Sequence, residues 1–184
     1  MKQIYAHYEH CWGQRYTVRQ WTAGPVWELG PEFRVLEFPP RSDCNWWTYA
    51  TVGMSLVPEA GRSHGLELHL VAPTKADAHI ELLTAVAHYH LTGRPLGWAH
   101  TVNFGRPWYP RSRCCYGLLS LPYLDGPKLE WLGTPGTGTR VLWLVPITGA
   151  ERSFVIEQEG IEELERLFEQ TSFNYLDPKR ASVI

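Results

Sequence analysis

Hydrophobic and polar residues alternate in several short segments of this chain, and this period of two is typical of β-strands. In GLELHLVA (residues 65–72) three leucines fall on one face, and Glu67 and His69 fall on the other. We therefore predict a strand whose second face is in contact with water. PEFRVLEF (residues 31–38) alternates in a similar way and predicts another strand.

Other segments are rich in aromatic and β-branched residues, which favour pleated, half-buried structure. One segment, residues 140–147, is apolar nearly throughout, as expected for a central strand that is covered on both faces. The further predicted strands are WWTYATVGMS (46–55), LGWAHTVNF (96–104), CYGLLSLPY (115–123), KLEWL (128–132) and RVLWLVPI (140–147).

Two segments have helical periodicity in the first half of the chain. Residues 4–12 predict a short helix that ends at Gly13. Residues 74–91 repeat apolar positions every three to four residues, and Thr74 and Asp77 have the spacing of a capping box at the helix start.

A second capping box follows the central strand. Thr148 and Glu151 are three residues apart, so each side chain can bond a free backbone amide of a new helix. Gly160 is predicted to divide this helical region. The following segment, IEELERLFEQ, has one apolar stripe, and Glu162 and Arg166 are spaced to form an outward ion pair.

The whole chain, residues 1–184, is therefore predicted to be one α+β domain with a central mixed β-sheet flanked by helices. Its 17 basic and 19 acidic residues give a formal charge of -2, which disfavours nucleic acid as a partner. No apolar stretch is long enough to cross a membrane, and the N-terminus lacks the apolar core of a secretion signal. We expect a cytoplasmic protein with four reduced cysteines.

The common catalytic and metal-binding motifs are absent from the sequence. GTPGTGT (133–139) lacks the lysine of a phosphate loop and leads into a strand, so it is interpreted as a hairpin loop. His7, His10 and Cys11 can share one helix face, but a fourth zinc ligand is missing. We therefore predict no metal, cofactor or catalytic residue.

A cysteine nucleophile remains an alternative, with Cys114 or Cys115 activated by His100. Sequence separation alone does not place these groups together. A Cys/His-dependent enzyme is therefore kept as a weaker hypothesis than protein binding.

The segment NFGRPWYPRSRCCYG is predicted to be a surface loop. Arg106, Trp108 and Tyr109 lie in it, and arginine, tryptophan and tyrosine often anchor protein interfaces. These three residues are candidate partner contacts.

The order of WWTYATVG, LELHL, the helix HIELLTAVAHYHL, CYGLLSLPYLDG and RVLWLVPITGAE resembles the suppressor of fused family in its short bacterial form. The resemblance implies an α+β fold without a catalytic centre. Animal members bind transcription factors with this domain and a second one, whereas bacterial members are proposed immunity proteins that neutralise a toxin. Both an immunity role and a regulatory peptide-binding role are implied, and the partner is a protein in either case.

The resemblance also places part of the animal binding surface near the end of the strand YGLLSLPY. By this correspondence Tyr123 and Asp125 lie near a partner, together with Ser120 and Leu121. The sequence predicts neither the oligomeric state nor the identity of the partner.

Overall fold

The structure, a computed structural model, describes residues 1–56, 64–157 and 160–184. These residues form eight strands and five helices. In chain order the elements are α1 (Lys2–Trp12), β1 (Thr17–Arg19), β2 (Arg34–Phe38), β3 (Trp47–Val52), β4 (Gly65–Ala72), α2 (Asp77–Thr92), β5 (Thr101–Asn103), β6 (Cys114–Ser120), α3 (Pro127–Glu130), β7 (Trp131–Leu132), β8 (Thr139–Thr148), α4 (Gly149–Glu157) and α5 (Gly160–Gln170).

All eight strands belong to one sheet in the order β1-β2-β3-β4-β8-β6-β5, and β7 pairs with the start of β8. Only the β4–β8 pair is parallel among the described pairings, so the sheet is mixed, as predicted. The apolar strand β8 lies between β4 and β6, which confirms its central position. Residues 133–138 connect β7 to β8 as the predicted hairpin loop.

One face of the sheet is covered by α2. Leu66, Leu68 and Leu70 of β4 pack there against Ile80 and Leu83 of α2 in the largest apolar cluster. The leucine face of the predicted strand is thus confirmed as core.

The opposite face carries two groups of helices. Helix α1 covers β2 and β3, and α4 with α5 covers β6 and β8. The prediction that Glu67 and His69 face water is therefore wrong, since both side chains are completely buried. Glu67 accepts hydrogen bonds from Thr51 and Ser55, and His69 lies against Trp12 of α1.

The second capping box is confirmed. The Thr148 amide donates to Oε2 of Glu151 at 2.8 Å, and the Glu151 amide donates to Oγ1 of Thr148 at 3.3 Å. Gly160, with a positive φ of 77°, begins α5 as predicted. The predicted Glu162 pair is wrong, because Arg166 donates from Nε to Glu163 at 2.7 Å instead.

Three other local predictions differ from the structure. Helix α2 begins after Ala76 without a side-chain cap, because Thr74 bonds the hydroxyl of Tyr109 and Asp77 bonds Arg19. Residues 128–130 of the predicted strand KLEWL lie in the helical turn α3, which begins at Pro127, and Trp131–Leu132 pair as a strand. Within residues 96–104 only Thr101–Asn103 pair as a strand.

Candidate partner-binding groove

A groove of about 410 Å³ opens between the end of β6, the middle of β8, helix α5 and the C-terminal tail. This volume lies in the range of ordinary ligand pockets. Its lining residues are Ser120, Tyr123, Leu124, Trp143, Val145, Glu162, Glu165, Arg166, Phe168, Glu169, Phe173 and Tyr175.

The floor of the groove is aromatic. The edge of the Tyr175 ring meets Trp143 of β8, with ring centres 5.4 Å apart. Phe168 of α5 stacks on Phe173 of the tail at 4.0 Å. Such ring pairs are rigid, so the floor presents an apolar surface of fixed shape.

The rim nearest β6 is formed by Tyr123 and Leu124, which are 57% and 37% exposed. Glu165 holds this rim against α5, because its carboxylate accepts hydrogen bonds from Ser120 at 2.6 Å and from Tyr123 at 2.9 Å. Partial burial and the hydrogen bond to Glu165 raise the pKa of Tyr123 to about 12. The Tyr123 hydroxyl therefore stays protonated at neutral pH, and its ring is held at the groove edge.

The α5 side of the groove is acidic. Glu162 and Glu169 are exposed, and neither carboxylate has a hydrogen bond or ion pair with another described residue. Among the described residues that line the groove, Arg166 alone is basic, and its guanidinium is held by Glu163. The groove thus combines an apolar floor with two available carboxylates.

The C-terminal tail is held in place by a buried ion pair between Arg180 and Glu151. Burial alone raises the pKa of Glu151, but hydrogen bonds from Arg180 and its positive charge shift that pKa to below its ordinary value. The Arg180 guanidinium also lies 4.5 Å from the ring centre of Phe173. The pair therefore fixes the tail residues that form the groove floor.

Beneath the floor, three ring nitrogens lack partners. Trp143 stacks on His69 of β4 with ring centres 6.3 Å apart, and neither the indole nitrogen nor the two imidazole nitrogens bond any described residue. Burial lowers the pKa of His69 to about 4, and the charge of Asp125 opposes this shift weakly. The imidazole is therefore neutral at physiological pH.

The five predicted contact residues do not form one surface. Tyr123 lies in the groove, whereas Arg106, Trp108 and Tyr109 lie near α2 on the other face of the sheet. The prediction of a surface-exposed segment is wrong for Trp108, which is only 4% exposed because its ring packs into the core under α2. Arg106 is exposed and pairs with Glu81.

Asp125 is already engaged within the chain, since it accepts a 2.6 Å hydrogen bond from the indole nitrogen of Trp12. This bond ties α1 to the loop after β6. A role for Asp125 in partner binding stays a prediction.

The side chains considered for metal or thiol chemistry are not assembled into a site. His7 donates to the carbonyl of Leu129, and no cluster of three metal-ligating side chains occurs in residues 1–56, 64–157 and 160–184. Backbone bonds place His100 opposite Leu119 and Phe104 opposite Cys115. The His100 and Cys115 positions are therefore about 13 Å apart along β6, too far for a hydrogen bond.

Sequence comparison identifies the family. The family profile described as "Suppressor of fused protein (SUFU)" matches residues 30–181. The chain belongs to the suppressor of fused family. A search of curated proteins gave no match.

Solved structures of this family share the fold. A SUFU homolog from Neisseria gonorrhoeae FA 1090 is 30% identical, with a TM-score of 0.84 and coverage of 100% of this chain and 96% of that one. A chain in the structure of a Sufu–Fu complex is 19% identical with a TM-score of 0.70, and the match covers 99% of this chain and 91% of that one. Drosophila Suppressor of Fused is 19% identical with a TM-score of 0.69, and this chain spans 50% of its length.

No helix in the described part of the suppressor of fused domain has the length and apolar character needed to cross a bilayer. The groove residues Phe173 and Tyr175 were missed by sequence reasoning, because the tail after Gln170 has no regular element. A cluster of aromatic residues beyond the last helix was the available signal.

Proposed function

We propose that this chain is a non-catalytic protein-binding domain that neutralises a cognate toxin by stoichiometric binding in the cytoplasm. The observation that carries this proposal is the groove, whose rim leaves Tyr123 and Leu124 exposed beside an aromatic floor. Exposed tyrosine next to a well-packed apolar pocket is typical of the central contacts of protein interfaces.

Family membership supports binding rather than catalysis. The suppressor of fused family is a family of non-catalytic binding domains, and one structure with the same fold is a complex of Sufu with Fu. The Neisseria homolog matches this chain along nearly its whole length, so the two share the fold that forms the groove. An immunity role fits a binding domain that blocks its partner by covering a functional surface.

The experiment is co-expression with the protein encoded beside the gene of this chain, in cells that this neighbour inhibits. We expect growth to be restored and a complex of fixed stoichiometry to elute from a sizing column with light-scattering detection. A catalytically inactive form of the neighbour serves as the control, because it separates complex formation from rescue. Absence of both rescue and complex contradicts the immunity role.

A regulatory peptide-binding role is the second candidate, and the likeness to the Sufu–Fu complex favours it. In that case the partner is an extended segment of a regulator, which can add a strand to an edge such as β5 (Thr101–Asn103). A partner that is not toxic to cells, and whose binding maps to β5 instead of the groove, supports this second role.

A further inference from the structure

We propose that the groove accepts a positively charged segment of the partner, in which an apolar side chain inserts between two basic residues. This inference rests on the proposed protein-binding function and specifies the chemistry of the partner. It follows from the arrangement of apolar and acidic groups around the groove.

The floor selects an apolar anchor. Trp143 is 5% exposed and Phe168, Phe173 and Tyr175 are half-buried, so these rings offer contact area without offering a charge. A volume of about 410 Å³ accommodates an aromatic or large aliphatic side chain together with adjacent backbone. Burial of such a side chain supplies the apolar part of the binding free energy.

The α5 side selects positive charge. Glu162 and Glu169 are seven residues apart, which places them on one helix face about 10 Å apart along the axis. In an extended partner segment of polyproline II form, basic residues three positions apart share one face and lie about 9 Å apart, and a residue between them points in a different direction. One lysine or arginine on each side of the anchor therefore meets one carboxylate.

No cation among residues 1–56, 64–157 and 160–184 pairs with these two carboxylates. Arg166 is paired with Glu163, and Arg180 is buried against Glu151 and the ring of Phe173. Glu165 is occupied by Ser120 and Tyr123. The remaining acidic field also repels phosphate groups, so a cationic protein segment fits this groove better than a nucleic acid does.

The probe is the peptide acetyl-GKFGKG-amide, titrated into isotopically labelled protein and followed by NMR. We expect amide shifts confined to the Tyr123–Leu124 rim, α5 and the tail near Tyr175. Two control peptides separate the contributions, since acetyl-GEFGEG-amide reverses the charge and acetyl-GKGGKG-amide removes the anchor. Both controls are expected to leave the groove signals unchanged.

The matched variants test the two carboxylates. The double substitution Glu162→Gln and Glu169→Gln is expected to weaken binding of the cationic peptide about tenfold and to reduce its salt dependence. Glu32→Gln with Glu157→Gln changes the net charge equally at two exposed positions that do not line the groove, and it is expected to leave the affinity unchanged.

Shifts that map outside the groove, equal binding of the acidic peptide, or no binding of the cationic peptide each overturn this inference. The toxin co-expression test distinguishes its failure from failure of the proposed function. Rescue that persists in the Glu162→Gln, Glu169→Gln protein, without peptide binding to the groove, leaves the immunity role intact and contradicts only the charged-segment inference. Peptide binding to the groove without rescue supports the charged-segment inference and contradicts the immunity role.

Discussion

Arg180 and Glu151 form a two-point ion pair that is almost fully buried. The guanidinium Nη1 lies 2.6 Å from Oε1 of Glu151, and Nη2 lies 2.7 Å from Oε2. The same arginine donates to the carbonyl of Pro146 at 3.0 Å. One side chain of the tail is thereby joined to both β8 and the start of α4.

Removing the arginine is predicted to destabilise the fold. Arg180→Met leaves the Glu151 carboxylate buried without its cation, which is expected to lower the free energy of unfolding by about 3 kcal/mol or more. Urea unfolding followed by tryptophan fluorescence measures this change. A loss below about 1 kcal/mol contradicts the structural role of the pair.

The control for this variant also removes the negative charge of Glu151. In the double variant Glu151→Gln, Arg180→Met, the amide oxygen can accept a hydrogen bond from the backbone amide of either Thr148 or Val183, which bond separate carboxylate oxygens of Glu151 in the native protein. We expect this protein to be more stable than Arg180→Met by about 1 kcal/mol. If the double variant is instead less stable than Arg180→Met, an uncompensated buried charge does not explain the loss of stability in Arg180→Met.

A second prediction concerns His69 and acid. Burial lowers the pKa of this imidazole to about 4, so between this value and about 6.5 the unfolded chain binds a proton that the folded chain does not. Stability is therefore lost as the pH falls through this window, by about 2 kcal/mol at pH 5 from this residue alone. His79, whose pKa burial also lowers to about 4, adds a similar loss.

The variant His69→Phe tests the contribution of His69, because it keeps a ring between Trp12 and Trp143 and removes the titrating group. The difference in unfolding free energy between pH 7.5 and pH 5 is expected to shrink by about 2 kcal/mol relative to the native protein. An unchanged difference shows that His69 does not titrate as stated.

A third prediction separates stability from recognition at Trp108. Trp108→Ala is expected to cost about 3 kcal/mol or more of unfolding free energy, because it empties core volume under α2. Arg106→Ala, two residues earlier and exposed, is expected to change stability by less than about 0.5 kcal/mol. Chemical unfolding measures the free energy of unfolding of both variants. If Trp108→Ala changes it as little as Arg106→Ala does, the burial of Trp108 is contradicted.

Local sequence patterns predicted those parts of the fold that depend on near neighbours. Thr148 and Glu151 have side chains that bond amides three residues away, so their capping box is visible in the sequence. Thr74 and Asp77 have the same spacing, yet they bond Tyr109 and Arg19, which are distant in sequence. Tertiary partners therefore decide between two equivalent local patterns.

The candidate site depends even more on distant contacts. Alternation correctly separated the two faces of β4, but it did not reveal that α1 covers Glu67 and His69. Tyr123 was predicted from the family resemblance, whereas the tail residue Tyr175 had no local pattern to mark it. Its position follows from the Arg180–Glu151 pair, which joins residues 29 positions apart.

A fourth prediction concerns the rim of the groove. Tyr123→Ala removes an exposed ring whose only hydrogen bond to the described residues is with Glu165, so stability is expected to change by less than about 1 kcal/mol. Affinity for the partner is expected to fall by about 2 kcal/mol or more, as for a central tyrosine of an interface. Tyr89→Ala is the matched control, because Tyr89 is 42% exposed on α2, away from the groove.

Partner binding to the groove is tested most directly by calorimetric titration of the neighbouring gene product, in its inactive form, into the native, Tyr123→Ala and Tyr89→Ala proteins. We predict a stoichiometric complex that Tyr123→Ala weakens by about thirtyfold and Tyr89→Ala leaves unchanged. Equal affinity of all three proteins would contradict the assignment of the groove as the partner-binding surface.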